Sequence, residues 1–182
     1  MLELSHHILD IAENSIRSGA KLISISITED SVNNLLKIAI KDDGCGMEPE
    51  EIARALDPFY TTKTVRRVGL GLPLLKKAAE ASGGNLQINS VSGGGTEVIA
   101  NFQFGHIDRQ PLGNIVSTLT TLIVANSDID FIYNHRHNDR QFLLDTRILR
   151  QAIGDVPVQH PEIIKHIREV VLEGLLDIDT QA

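Results

Sequence analysis

A single cysteine, Cys45, stands among the 182 residues. Its solitude excludes an intramolecular disulfide and a multi-cysteine zinc site. No apolar run approaches the roughly 20 residues that cross a bilayer. The first residues, Met1 to Glu13, also lack the basic-then-apolar pattern of an export leader, so the expectation is a cytoplasmic protein without membrane association. Positive charge is in deficit too. Seventeen Lys and Arg face 24 Asp and Glu, for a formal net charge of -7. This argues against bulk nucleic acid or an anionic membrane surface as partner, and any phosphate site must be local. The hydrophobic content of 42% is enough for a core at this length.

Against these absences stand three glycine-bearing segments: Asp42-Asp43-Gly44-Cys45-Gly46-Met47, Gly69-Leu70-Gly71-Leu72 and Gly93-Gly94-Gly95-Thr96. Glycine permits positive φ and close backbone approach, so three such turns between apolar runs predict a backbone cradle for a polyanion. Apolar spacing at Ile8, Ile11, Ala12, Ser15 and Ile16 predicts a helix over 4–18, stopped by Gly19. Ile23, Ile25 and Ile27 alternate with polar residues, and Leu35 to Ile40 completes a hairpin. Pro49 with Glu50 and Glu51 opens a helix, 57–68 reads as a loop, and 72–81 as a helix closed by Gly83-Gly84. A second hairpin pairs 86–91 with 96–104. This order predicts an α/β sandwich with a mixed, mainly antiparallel sheet and helices on one face.

These segments, taken in order, resemble the GHKL superfamily of ATP-binding domains, which includes DNA gyrase, certain chaperones, histidine kinases and MutL. His7 to Ala20 resembles the N-box, with Glu13-Asn14-Ser15 and Gly19-Ala20 particularly similar to MutL. Asp42 to Met47 matches the first glycine box, and Asp57-Pro58-Phe59 through Thr62-Lys63 the F-box as histidine kinases write it. Gly69-Leu70-Gly71-Leu72 and Gly95-Thr96 match the second and third glycine boxes. The resemblance implies ATP and magnesium as ligands.

Asp10, Asn14 and Arg17 share one helix face at i, i+4 and i+7. A neutral amide oxygen suits magnesium that is otherwise held by water and phosphate oxygens. The resemblance gives Asn14 that role, Asp10 the role of the catalytic acidic residue that orients or deprotonates the attacking water or side chain, and Arg17 a phosphate contact. It assigns base reading to Asp42, with Gly44, Gly46 and Met47 beside the adenine. Thr62 and Lys63 fall on the ATP lid. Gly69, Gly71 and Leu72 fall at the phosphates, and Thr96 next to Asp42 or a bridging water. His6 and His7 lie within the N-box helix and are not read as phospho-acceptors. Asp43 stands where the family more often has Asn.

The nucleotide-binding domain is drawn at 1–104, with an α/β extension at 105–182 that is either a small second domain or a continuation of the sandwich. The extension predicts an apolar helix over 112–125 and a hairpin turning at Asn138-Asp139. Two further helices follow over 146–153 and 161–175. His135 and His137 share a strand face, and two ligands without a third read as an exposed hairpin rather than a metal site. With no acceptor segment ahead of the N-box, the expected function is ATP-dependent phosphorylation of a protein partner in trans. An ATPase switch and a non-catalytic ATP sensor are the alternatives.

Overall fold

The computed structural model describes residues 3–57 and 71–180. The sheet has six strands in the order β3-β4-β2-β1-β5-β6. β1 (Leu22–Asp30) and β2 (Leu35–Asp42) pair antiparallel, and β4 (Thr96–Gln103) joins β2 antiparallel, with β3 (Asn85–Ser90) outside it. On the other side of β1 lies β5 (Asp130–His137) in parallel, then β6 (Arg140–Asp145) antiparallel to β5. The strand pair beyond Gly105 therefore extends the same sheet.

Strand periodicity fixes which face is buried. Ile23, Ile25 and Ile27 of β1 and Leu36, Ile38 and Ile40 of β2 are buried, as are Val98, Ala100 and Phe102 of β4. Their neighbours in the chain point to the opposite, partly accessible face. Each of these buried isoleucines contributes about 1.5–3 kcal/mol of transfer free energy. Four helices share the core with this face: α1 (Leu4–Arg17), α3 (Gly71–Ala81), α4 (Ile115–Ala125) and α6 (Pro161–Asp177). The short α2 (Pro49–Ala55) buries no side chain, and α5 (Thr146–Ile153) packs on β5. Among the described residues, no helix is long and apolar enough to cross a membrane.

Element boundaries follow local chemistry. α4 begins at Ile115 rather than near Leu112, because Gly113 takes φ 78° and the Asn114 side chain caps the helix at the Ser117 amide. The β5–β6 turn falls at Asn138, with φ 52°, as its Asn-Asp pair predicts.

One expectation is overturned. His135 does not sit on an exposed hairpin; it is fully buried, because β5 pairs with β1 and its ring lies between Glu29 and Tyr133. Its Nε2 lies 2.7 Å from Glu29 Oε1 and its Nδ1 2.7 Å from the Tyr133 hydroxyl. Thr180 also donates to Glu29 Oε1. Burial alone would raise the Glu29 carboxyl, but the bonds from His135 and Thr180 outweigh it and hold it below the usual range. Burial, with Glu29 adding to it, pushes Tyr133 well above the usual phenol range, so its hydroxyl keeps its proton.

Candidate functional site

A cavity of about 370 Å³ opens between α1, the end of β2, α2, the head of α3 and the start of β4. Asp42, the last residue of β2, forms its polar end. Its Oδ1 accepts the amides of Gly44 at 2.9 Å and Thr96 at 3.2 Å, and its Oδ2 accepts the Ser15 hydroxyl at 2.6 Å. A carboxylate offers about four acceptor positions. Three are filled by these donors, which locks the side chain and leaves one acceptor position on Oδ2. Ile11, Met47, Leu72 and Val98 line the cavity as its apolar walls. A planar ring bearing an exocyclic amine fits this combination.

Thr96 meets Asp42 through its backbone amide, while its hydroxyl is 2.8 Å from the Ser90 hydroxyl. Ser90 in turn accepts the Met47 amide at 2.8 Å. β3, β4 and the first glycine segment are thereby fastened together at the Asp42 end of the cavity.

The first and third glycine segments turn most of their amides inward rather than toward the cavity. Four of their amides bond within the protein: Gly44 to Asp42, Cys45 to Ser18 O, Gly93 to Cys45 O and Gly94 to Val91 O. The glycines are needed where the two segments touch. Gly46 at φ 67° and Gly95 at φ 84° pass so close to backbone that an added Cβ would lie 2.0 Å from Val91 O and from Asp42 O respectively. These turns shape the Asp42 end of the cavity.

The other end of the cavity is built by α1 and α3. Asp10, Asn14 and Arg17 all line it, as their helical spacing predicts. Gly71 heads α3 against Asp10, and a Cβ there would lie 2.0 Å from Asp10 Oδ2. The α3 N-terminus thus faces the cavity with its positive dipole end beside a carboxylate. Arg17 donates to Asn14 Oδ1 and pairs with Glu13 at 3.4 Å, so its guanidinium sits on the amide oxygen rather than out in the cavity. Thr62, Lys63 and Gly69 lie outside the described residues.

The donor set fits a nucleotide-borne magnesium ion. Among the described residues, no group of three or more His, Cys, Asp or Glu is placed to hold a metal. Asn14 supplies a hard neutral oxygen and Asp10 a carboxylate on the same wall. Magnesium that keeps its waters and takes phosphate oxygens needs no more from the protein.

Two residues of the site escape a reading of the sequence. Ser15 falls on the apolar stripe of α1 and reads as core, yet its hydroxyl fixes Asp42. The signal was a hydroxyl in an apolar stripe directly after Asn14. Asp43 accepts the amides of Lys21 at 2.7 Å and Leu22 at 2.9 Å, tying the start of β1 to the glycine turn. The Leu22 amide bond is the chief cause that holds the Asp43 carboxyl low, against a smaller burial effect. Asp43 is accordingly a backbone clamp. Cys45 is exposed and lines the cavity beside Gly46.

Residues 2–106 match the model of the histidine kinase-, DNA gyrase B-, and HSP90-like ATPases. The chain is 30% identical over 112 residues to the non-motile and phage-resistance protein of Caulobacter vibrioides, covering 57% of this chain and 13% of that protein. It is 30% identical over 100 residues to the sensor histidine kinase WalK of Bacillus subtilis, covering 52% and 16%. A shorter stretch of 54 residues is 48% identical to the DNA mismatch repair protein MutL of Rhizorhabdus wittichii, covering 30% and 9%. The chain thus spans under a fifth of the length of these relatives. The solved N-terminal domain of a DNA repair protein shares the fold at TM-score 0.58 and 18% identity, covering 80% of this chain and 53% of that one. That coverage exceeds the span of the family match, so the likeness of fold continues into the segment after Gly105. By its motifs, its cavity and the family match over more than half its length, the chain belongs to the histidine kinase-, DNA gyrase B-, and HSP90-like ATPases, a family of ATP-binding domains.

Proposed function

We propose that this cavity binds ATP with magnesium and that the protein transfers the γ-phosphoryl group to a protein partner in trans. The observation that carries the reading is the polarity of the cavity. A carboxylate with one open acceptor position lies at one end, and Asp10 and Asn14 lie at the other beside the head of α3. In this reading Asp42 accepts the adenine exocyclic amine, while Met47 and Val98 cover the ring. Asn14 gives its Oδ1 to magnesium, and Arg17, released from that oxygen, turns to phosphate. Magnesium, when bound, neutralises charge on the phosphates. Asp10 orients the acceptor and takes its proton.

A second reading, an ATP-hydrolysing conformational switch, is favoured by the similarity of 54 residues to MutL. Incubation of the purified protein with γ-labelled ATP, with and without cell extract, separates the two. Label on another protein supports transfer; free phosphate without labelled protein supports the switch. Neither product, with ATP bound, would leave a non-catalytic sensor and refute both. Asp10→Asn is expected to keep nucleotide binding and lose turnover.

A further inference from the structure

The helix that carries Asp10 and Asn14 is not capped by its own sequence. Glu3 occupies the N-cap of α1 and makes no side-chain cap bond. The first helical amides, which lack intrahelical acceptors in any helix, are instead met by backbone from more than a hundred residues away. Leu4 N donates to Pro111 O at 2.9 Å and Ser5 N to Leu112 O at 2.8 Å. One turn further on, the buried His7 places its Nε2 3.1 Å from Gln110 Oε1. Burial is the main effect on the His7 imidazole and holds it below its ordinary value despite the Gln110 bond, so the neutral ring donates to Gln110 through Nε2–H. Gly113 closes the contact, since a Cβ there would lie 2.2 Å from Glu3 Oε2 and 2.7 Å from Ser5 Oγ. Leu112 and Ile115 are buried, anchoring the segment to α4, which packs on α1.

We infer that Gln110 to Gly113 is a strap that sets the position of α1, with Gln110 and His7 as positioning residues for Asp10. The inference rests on the role of Asp10 given above. His7 and Asp10 are three residues apart on one helix, so the strap grips α1 less than one turn from the proposed acid. A partner that takes hold of the extension acts on the nucleotide site through this contact, and nucleotide acts back on the strap by the same coupling.

Amide hydrogen exchange and steady-state kinetics on the full chain test this. Gln110→Leu removes the acceptor of His7. It is expected to speed exchange at the Leu4 and Ser5 amides and lower kcat, each by about fivefold or more, with KM for ATP unchanged. Gln110→Glu keeps an oxygen at the same reach and is expected to restore both. If Gln110→Leu proves unstable, the double variant His7→Leu with Gln110→Leu removes both polar partners and keeps the site packed. It should show the same loss of kcat. In the wild type, ATP with magnesium should slow exchange at Leu4 and Ser5 as well as over 42–47. Protection over 42–47 alone, together with wild-type kcat in Gln110→Leu, would overturn the strap while leaving nucleotide binding intact. Absence of protection over 42–47 would instead strike the nucleotide reading itself.

Discussion

Asp42 is held by Ser15, Gly44 and Thr96, so the end of the cavity proposed to take the base is pre-organised. Ser15→Ala removes one hydrogen bond to a buried charged group and is expected to cost about 1.5–3 kcal/mol of stability, together with a loss of ATP affinity. Thermal unfolding and calorimetry check this, and unchanged values in both would show that Ser15 is ordinary core. Glu29 gives a prediction in pH. Its folded carboxyl lies below its unfolded value of about 4.3. Its stabilising contribution is therefore complete above that value and is lost as pH falls through the lower folded one. Denaturant titrations should find Glu29→Gln less stable than wild type at pH 7, with the gap shrinking below about pH 4. A gap independent of pH would contradict the network seen around His135. That Asp10 and Asn14 line one cavity wall was legible from their helical spacing, and that Asp42 lines the cavity from the glycine motif that follows it. The roles of Ser15 and His135 were not, because they depend on partners 27 and 106 residues away, at Asp42 and Glu29.

At the scale of elements, period and punctuation made most of the fold legible. The alternation of β1, the turn at Asn138 and the proline at the head of α6 each act within a few residues. Sheet order is different. Nothing local in 130–137 states that β5 lies parallel to β1, and that pairing places His135 in the core. The glycine turns show the same limit: their local conformation was legible, but the use of their amides inside the protein was decided by Ser18, Asp42 and Val91. The packing of α6 on β6 supplies a test. Gly174 lies against Phe142, and an added Cβ would stand 2.2 Å from the ring. Gly174→Val is expected to destabilise by about 1–3 kcal/mol through overpacking, read as a lowered unfolding midpoint at unchanged ATP affinity. A neutral result would mean that α6 shifts freely on the sheet.

The whole molecule combines a net negative charge with a cavity whose ends differ in character: a fixed carboxylate at one, and an amide oxygen, an acid and a helix N-terminus at the other. The sheet that supports this cavity runs on through β5 and β6, and the segment after Gly105 both lengthens the sheet and closes the head of α1. The cavity and the extension thus share one sheet and one core. Asp42 is proposed to make this cavity an adenine site, and calorimetry with ATP and GTP in the presence of magnesium tests that role most directly. Wild type should bind ATP more tightly than GTP, and Asp42→Ala should weaken ATP by about tenfold or more, the equivalent of roughly 1.5–3 kcal/mol. Equal affinity for the two nucleotides, or an Asp42→Ala variant that binds ATP as wild type does, would contradict it.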